Sequence, residues 1–291
     1  MAKSKKNKIT SIAVVLLFFA GLAIMLYPTI SNIINRRAQS TAIVNYATTL
    51  EEVDYELTNM LWGQADDYNR RLFNTNGAFF EPKLVSGYED TLKVGDSNVM
   101  GLVTIPNINV ELPVYHGTSD SVLVSGAGHL EGSSLPVGGE NTHSVIMAHR
   151  GLPSSRLFTD LDKIEEGDIF YITVLNQTLT YVVDQILIVE PTQTDALQIV
   201  AGKDYCTLLT CTPYGINTHR LLVRGIRVMS EEEAEKVVFA VRSNAVKIDP
   251  LLVAPFIGVP LLIIAFTVVF AIDIAKQNKR KAKSKGGKTG E

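Results

Sequence analysis

Two uninterrupted apolar runs bracket the chain. ITSIAVVLLFFAGLAIMLY, from Ile9 to Tyr27, and LLVAPFIGVPLLIIAFTVVFA, from Leu251 to Ala271, hold no ionisable side chain except the Tyr27 phenol. A helix needs about 20 apolar residues to cross the hydrocarbon core of a bilayer, so both runs are predicted to be membrane spans, over residues 9–27 and 251–274. Pro255 and Pro260 would break a helix in water but are tolerated in such a span. After the first run, Ile43, Tyr46, Leu50, Val53, Leu57 and Met60 recur at alternating steps of three and four, which predicts one amphipathic helix within residues 28–65. Residues 66–98 lose that period. NTNG, Glu81-Pro82, Ser86-Gly87 and Gly95-Asp96 punctuate them, as expected of a functional loop or lid.

From Val99 the pattern changes to short runs rich in β-branched and aromatic residues. VMGLVTI, VELPVY, HSVIMAH, IFYITVL, LTYVVDQILIV, YCTLLTC and RLLVRGIRV are separated by Gly, Pro, Asn and Ser. Many short strands with one helical stripe predict an all-β barrel or sandwich over residues 99–229, followed by a linker or helix at 230–250.

Composition alone gives an ordinary globular chain of 291 residues. With 11 Pro, 21 Gly and 2 Cys it is neither disordered nor collagenous nor a disulfide scaffold. Its net charge of -3 is an average over unlike regions. Lys3, Lys5, Lys6 and Lys8 precede the first run. Lys276, Lys279, Arg280, Lys281, Lys283, Lys285 and Lys288 follow the second. The positive-inside rule therefore puts the basic tails, residues 1–8 and 275–291, in the cytoplasm and everything between the spans outside. No small-residue cleavage site follows Met25-Leu26-Tyr27-Pro28, so the first span is expected to be retained. The external part holds 16 basic and 28 acidic residues, an excess of about 12 negative charges that argues against a nucleic-acid partner.

The two cysteines, Cys206 and Cys211, lie five residues apart in one predicted strand. An odd separation places them on opposite faces, so they are not expected to pair. Cys206 is assigned to the core. Cys211 ends the strand TLLTC before the turn TPYGINT, at a rim that substrate can reach. His149 ends the strand HSVIMAH, and Arg220 begins the strand after the turn. A thiol, an imidazole and a guanidinium at one rim would supply a nucleophile, an acid/base and an oxyanion stabiliser.

These residues carry a resemblance. Thr207-Leu208-Leu209-Thr210-Cys211 matches the sortase signature Thr-Leu-x-Thr-Cys, with the family's Arg at Arg220 and its His at His149. LPVYHGTSD, GAGHLEGSSLPVGGENTHSVIMAHRGLPSSRLFTDL and TLLTCTPYGINTHRLLVRG are similar to the pilus-assembling class C sortases, and the resemblance covers about Gly101 to Val228. It implies a closed β-barrel of about eight strands, with an N-terminal helix, a lid and two membrane spans. It also implies a cysteine transpeptidase of the Gram-positive cell membrane. Cys211 would attack a Leu-Pro-x-Thr-Gly-like sorting motif of a pilin, His149 would act as acid and then base, and Arg220 would stabilise the oxyanion. A pilin Lys amine would then resolve the thioester. Neither cofactor nor metal is implied.

In class C the lid carries Asp-Pro-aromatic. Here Glu81-Pro82-Lys83, preceded by Phe79-Phe80, stands closest, so Glu81 is expected to pair with Arg220 while Phe79 or Phe80 covers Cys211. His116, His129, His143 and His219 show no ligand spacing and are not expected to bind metal. Leu135 to Gly139, LPVGG, lacks the Thr of a sorting motif and reads as a turn. The place before the second span, VKIDP, is no sorting motif either, so the chain does not resemble a wall-anchored substrate. Two other readings remain: a sortase using a peptidoglycan amine, and a membrane-anchored scaffold without turnover.

Overall fold

The computed structural model describes residues 2–95, 98–229, 258–261 and 263–272, with side chains from residue 12 onward. The linker at 230–250, the first part of the second apolar run and the tail at 275–291 lie outside the described residues. The chain divides into two units, Met1–Ser31 with Ala245–Glu291, and Asn32–Asn244.

Helix α1 runs from Ala2 to Glu51 with Pro28 inside it. Its N-terminal part is long and apolar enough to cross a membrane, by length and composition. The second apolar run is described as a helix over Gly258–Ile272, too short on its described residues to show the second span that was expected.

The helices of the Asn32–Asn244 unit differ from the single predicted stripe. The backbone turns at Glu52–Val53, and Asp54 caps a new helix, α2 (Tyr55–Asn74), its carboxylate accepting from Leu57 N at 2.7 Å. That break resets the helical phase. Tyr46 of the predicted stripe is buried, but Leu57 and Met60 are exposed, and α2 instead buries Leu61, Ala65, Tyr68 and Leu72. The irregular stretch therefore starts at Thr75 rather than Asp66, and helices form a larger share than an all-β reading allowed.

The strands are β1 (Val99–Ile105), β2 (Val110–His116), β3 (Ala127–His129), β4 (Thr142–Met147), β5 (Ile169–Val174), β6 (Gln177–Val189), β7 (Asp204–Thr212) and β8 (His219–Val228), with a short helix α3 (Asp120–Ser125) between β2 and β3. They close into a barrel in the order β1-β2-β3-β4-β7-β8-β6-β5. Most neighbours are antiparallel, but β4 runs parallel to β7, which brings the C-terminal ends of both strands to the same rim. The barrel interior is filled by alternate residues such as Val103, Ile146, Ile172, Leu208 and Val223, all buried, and α1 and α2 add Tyr46, Leu61 and Tyr68 to that core. Cys206 lies within it. Burial, and then the Asp204 carboxylate, push its thiol well above the ordinary range, as suits an inert core residue.

Candidate functional site

In the β7–β8 ladder Cys211 is the register partner of Arg220, and Thr212 of His219. Directly opposed residues of a ladder share a face, so the thiol and the guanidinium project from the same side of the sheet. The ladder ends there because the turn requires it: Gly215 and Asn217 adopt left-handed φ of 72° and 61°, and the Ile216 and Asn217 amides both donate to the Pro213 carbonyl. Cys211 is half-buried while the six residues before it are buried, the transition expected at a rim. The Arg220 guanidinium donates from Nη1 to the carbonyls of Asn217 and His219 at 3.2 and 3.1 Å.

His149 reaches this rim along β4. Met147 pairs with Leu209, the Ala148 amide donates to the Leu209 carbonyl at 3.2 Å, and Thr210 Oγ1 donates to the Ala148 carbonyl at 2.8 Å. One residue further, His149 leaves the sheet level with Cys211 and is half-buried. The structure therefore brings all three predicted positions to one end of the barrel.

Beneath them, on the face they share, is a second apolar cluster. Val145, Leu197, Leu209 and Leu222 are buried in it, and Phe79 packs against it from the irregular stretch. The four lid residues separate. Phe79 lies on this cluster, Phe80 is 68% exposed, Glu81 is exposed and Pro82 opens a short helical turn, Pro82–Leu84. Among the described residues Glu81 makes no ion pair, and Arg220 turns to backbone carbonyls instead of to Glu81. Gly132 supports the segment. It holds φ 93°, and a Cβ there would come within 2.6 Å of the Phe79 carbonyl and 3.1 Å of Pro82 Cγ.

The rest of the stretch is fastened by a buried polar knot. Tyr88 Oη donates to the His129 carbonyl at 3.1 Å, lies 3.0 Å from His129 Nδ1 and accepts from Gly117 N. Burial lowers the pKa of His129 to about 4 and that of His143, which faces Thr207 and the Gln198 carbonyl, to about 4 as well. One site-adjacent residue was missed from sequence. Arg150 is buried, donates to Thr212 Oγ1 at 3.0 Å and pairs with Asp162 at 2.6 Å, bracing the residue next to Cys211. Its position directly after His149 was the available signal.

The Sortase domain family model matches residues 103–228. Among solved structures, the sortase C of Streptococcus pneumoniae is 49% identical, with a TM-score of 0.59, and the match covers 65% of this chain and 96% of that one. A Clostridium perfringens sortase C, solved with the C-terminal cell wall sorting motif, is 46% identical with a TM-score of 0.59, covering 66% and 100%. The chain belongs to the sortase family, a family of cysteine transpeptidases. The sortase C structures bear out the class C resemblance. The curated relatives match over less. A sortase A of Streptococcus agalactiae is 31% identical over 117 residues, 39% of this sortase, which spans only 47% of that relative's length.

Proposed function

We propose that this sortase polymerises pilins at the outer face of a Gram-positive cell membrane. In this reading the Cys211 thiolate attacks the Thr carbonyl of a Leu-Pro-x-Thr-Gly-like motif. The tetrahedral oxyanion is stabilised by Arg220, and His149 protonates the departing Gly amine. The Thr–Gly amide breaks as the Cys211 thioester forms. A Lys amine of another pilin then attacks the thioester, gives its proton to the now neutral His149 and releases the thiolate. A thioester retains enough reactivity for this amide exchange without a nucleotide, which suits an enzyme facing outward.

The observation that carries the reading is the cross-strand pairing of Cys211 with Arg220, with His149 delivered to the same rim by the parallel β4–β7 pair. The two sortase C relatives add support, since one was solved with a sorting motif and the other is described in terms of pilin substrate specificity. The apolar part of α1 and the lysine-rich tails support anchoring with both termini in the cytoplasm.

The test uses the full-length chain in detergent with a sorting-motif peptide, followed by intact-mass detection of a thioester at Cys211. Its absence overturns the reading. A pilin carrying an acceptor Lys is then compared with a cell-wall precursor amine, and preference for the wall amine overturns the polymerase assignment while leaving a sortase.

A further inference from the structure

Asn32, Asn35 and Gln39 stand at steps of three and four on α1 and so form one stripe. All three reach consecutive residues of the loop that follows His149. Asn35 Nδ2 donates to the Ser154 carbonyl at 2.8 Å, Gln39 Nε2 donates to Ser155 Oγ at 3.4 Å, and the Arg156 amide donates to Asn32 Oδ1 at 3.2 Å. Gln39 and Ser155 are buried. The polarity is matched at each contact: two side-chain donors meet oxygens, and one side-chain acceptor meets an N–H.

The same loop folds back on His149. The Phe158 amide donates to the His149 carbonyl at 3.1 Å, and the Gly151 amide to Thr159 Oγ1 at 3.3 Å. Leu157 and Phe158 are buried, with Leu157 at a φ of 41°, a left-handed conformation that a leucine holds only where its surroundings enforce it. The backbone of His149 is therefore fixed from the barrel on one side and, through Ser154–Phe158, from α1 on the other. We propose that Asn32, Asn35 and Gln39 are positioning residues for His149, so that the helix entering the catalytic unit sets the geometry of its acid/base. This rests on the role given to His149 above.

The stripe's polarity supplies the test, made on the full-length chain in detergent. Asn35→Asp puts a carboxylate oxygen against the Ser154 carbonyl, whereas Asn32→Asp keeps the acceptor that the Arg156 amide needs. Tyr46→Phe removes a different tie of α1, in which Tyr46 Oη donates to the Met100 carbonyl and accepts from Leu175 N. Asn35→Asp is expected to lower kcat about tenfold with KM little changed, and to move the acid limb of the pH–rate profile. Asn32→Asp retains wild-type behaviour, and Tyr46→Phe lowers Tm without moving the pH profile. The titration of the His149 imidazole, followed by NMR in chain labelled with ¹³C-histidine, is expected to shift in Asn35→Asp alone. An unshifted titration in Asn35→Asp, or the same shift in Tyr46→Phe, overturns the proposal. Failure of the wild type to form a thioester would instead overturn the proposed function, since the imidazole titration does not depend on turnover.

Discussion

Cys211 on β7 and Arg220 on β8 stand opposite each other in an antiparallel ladder, so the distance between thiol and guanidinium is governed by sheet geometry instead of by loop conformation. Replacing Arg220 should therefore alter chemistry far more than folding, because among the described residues its guanidinium donates only to the nearby Asn217 and His219 carbonyls. Arg220→Ala is expected to slow thioester formation by about 100-fold with Tm nearly unchanged, measured by single-turnover mass spectrometry beside a thermal melt. Arg220→Lys should recover little of that loss, since a point charge does not reproduce the planar fork.

Phe79 and Phe80 are neighbours with opposite fates, one on the apolar cluster that holds Leu209 and Leu222 and the other in solvent. Phe79→Ala is expected to raise the rate of Cys211 alkylation several-fold, and Phe80→Ala to leave it unchanged. Gly132→Ala should act like Phe79→Ala, because the new methyl group would displace the Phe79 carbonyl. Equal alkylation rates in Phe79→Ala and wild type would show that the contact does not shield the thiol.

Gly225, the ladder partner of Cys206, faces the aromatic pair Phe170 and Tyr181. An added Cβ would lie 2.6 Å from Phe170 Cε1 and 2.9 Å from Tyr181 Cβ, inside a closed barrel that has little room to relax. Gly225→Ala is expected to cost about 1–3 kcal/mol of stability, seen as a lowered denaturant midpoint.

His129 and His143 are held neutral by burial, each with a pKa lowered to about 4. An unfolded chain binds protons at these sites near pH 6.5, where the folded chain does not. Stability is thus complete above about pH 6.5 and falls as pH drops towards about 4, by about 3 kcal/mol for each residue. Thermal melts from pH 7 to 4.5 should show this slope. His143→Gln, which can keep a hydrogen bond to Thr207, should flatten part of it.

Seven of the eight strands were legible in the sequence because each carries β-branched residues bounded by turn formers, whereas β3, Ala127-Gly128-His129, carries none and was not predicted. The rim was legible because Cys211, His149 and Arg220 all sit where such runs end. The helices were less so. Ile43 to Met60 keep an unbroken three-four rhythm, but nothing in that rhythm reveals that Asp54 caps a second helix and rotates its buried face to Leu61, Ala65 and Tyr68. The lid expectation, with Glu81 paired to Arg220 and Phe79 or Phe80 over Cys211, rests on an analogy of position. The packing is decided by Phe79, which has an apolar cluster to cover, while Glu81 is exposed and makes no ion pair among the described residues. Contacts between α1 and residues 154–156 span more than a hundred positions and leave no local pattern.

Closure of the eight strands has a consequence for how clients are held. A closed barrel has no free edge, so an extended peptide cannot join it by backbone pairing as it would in an open sheet. Under the proposed function, recognition then falls to side chains and loops at the rim that carries Cys211, over a few residues. In the same reading, a grip of that kind would let go once the scissile amide has been exchanged, and the enzyme would leave a growing pilin polymer without becoming one of its strands.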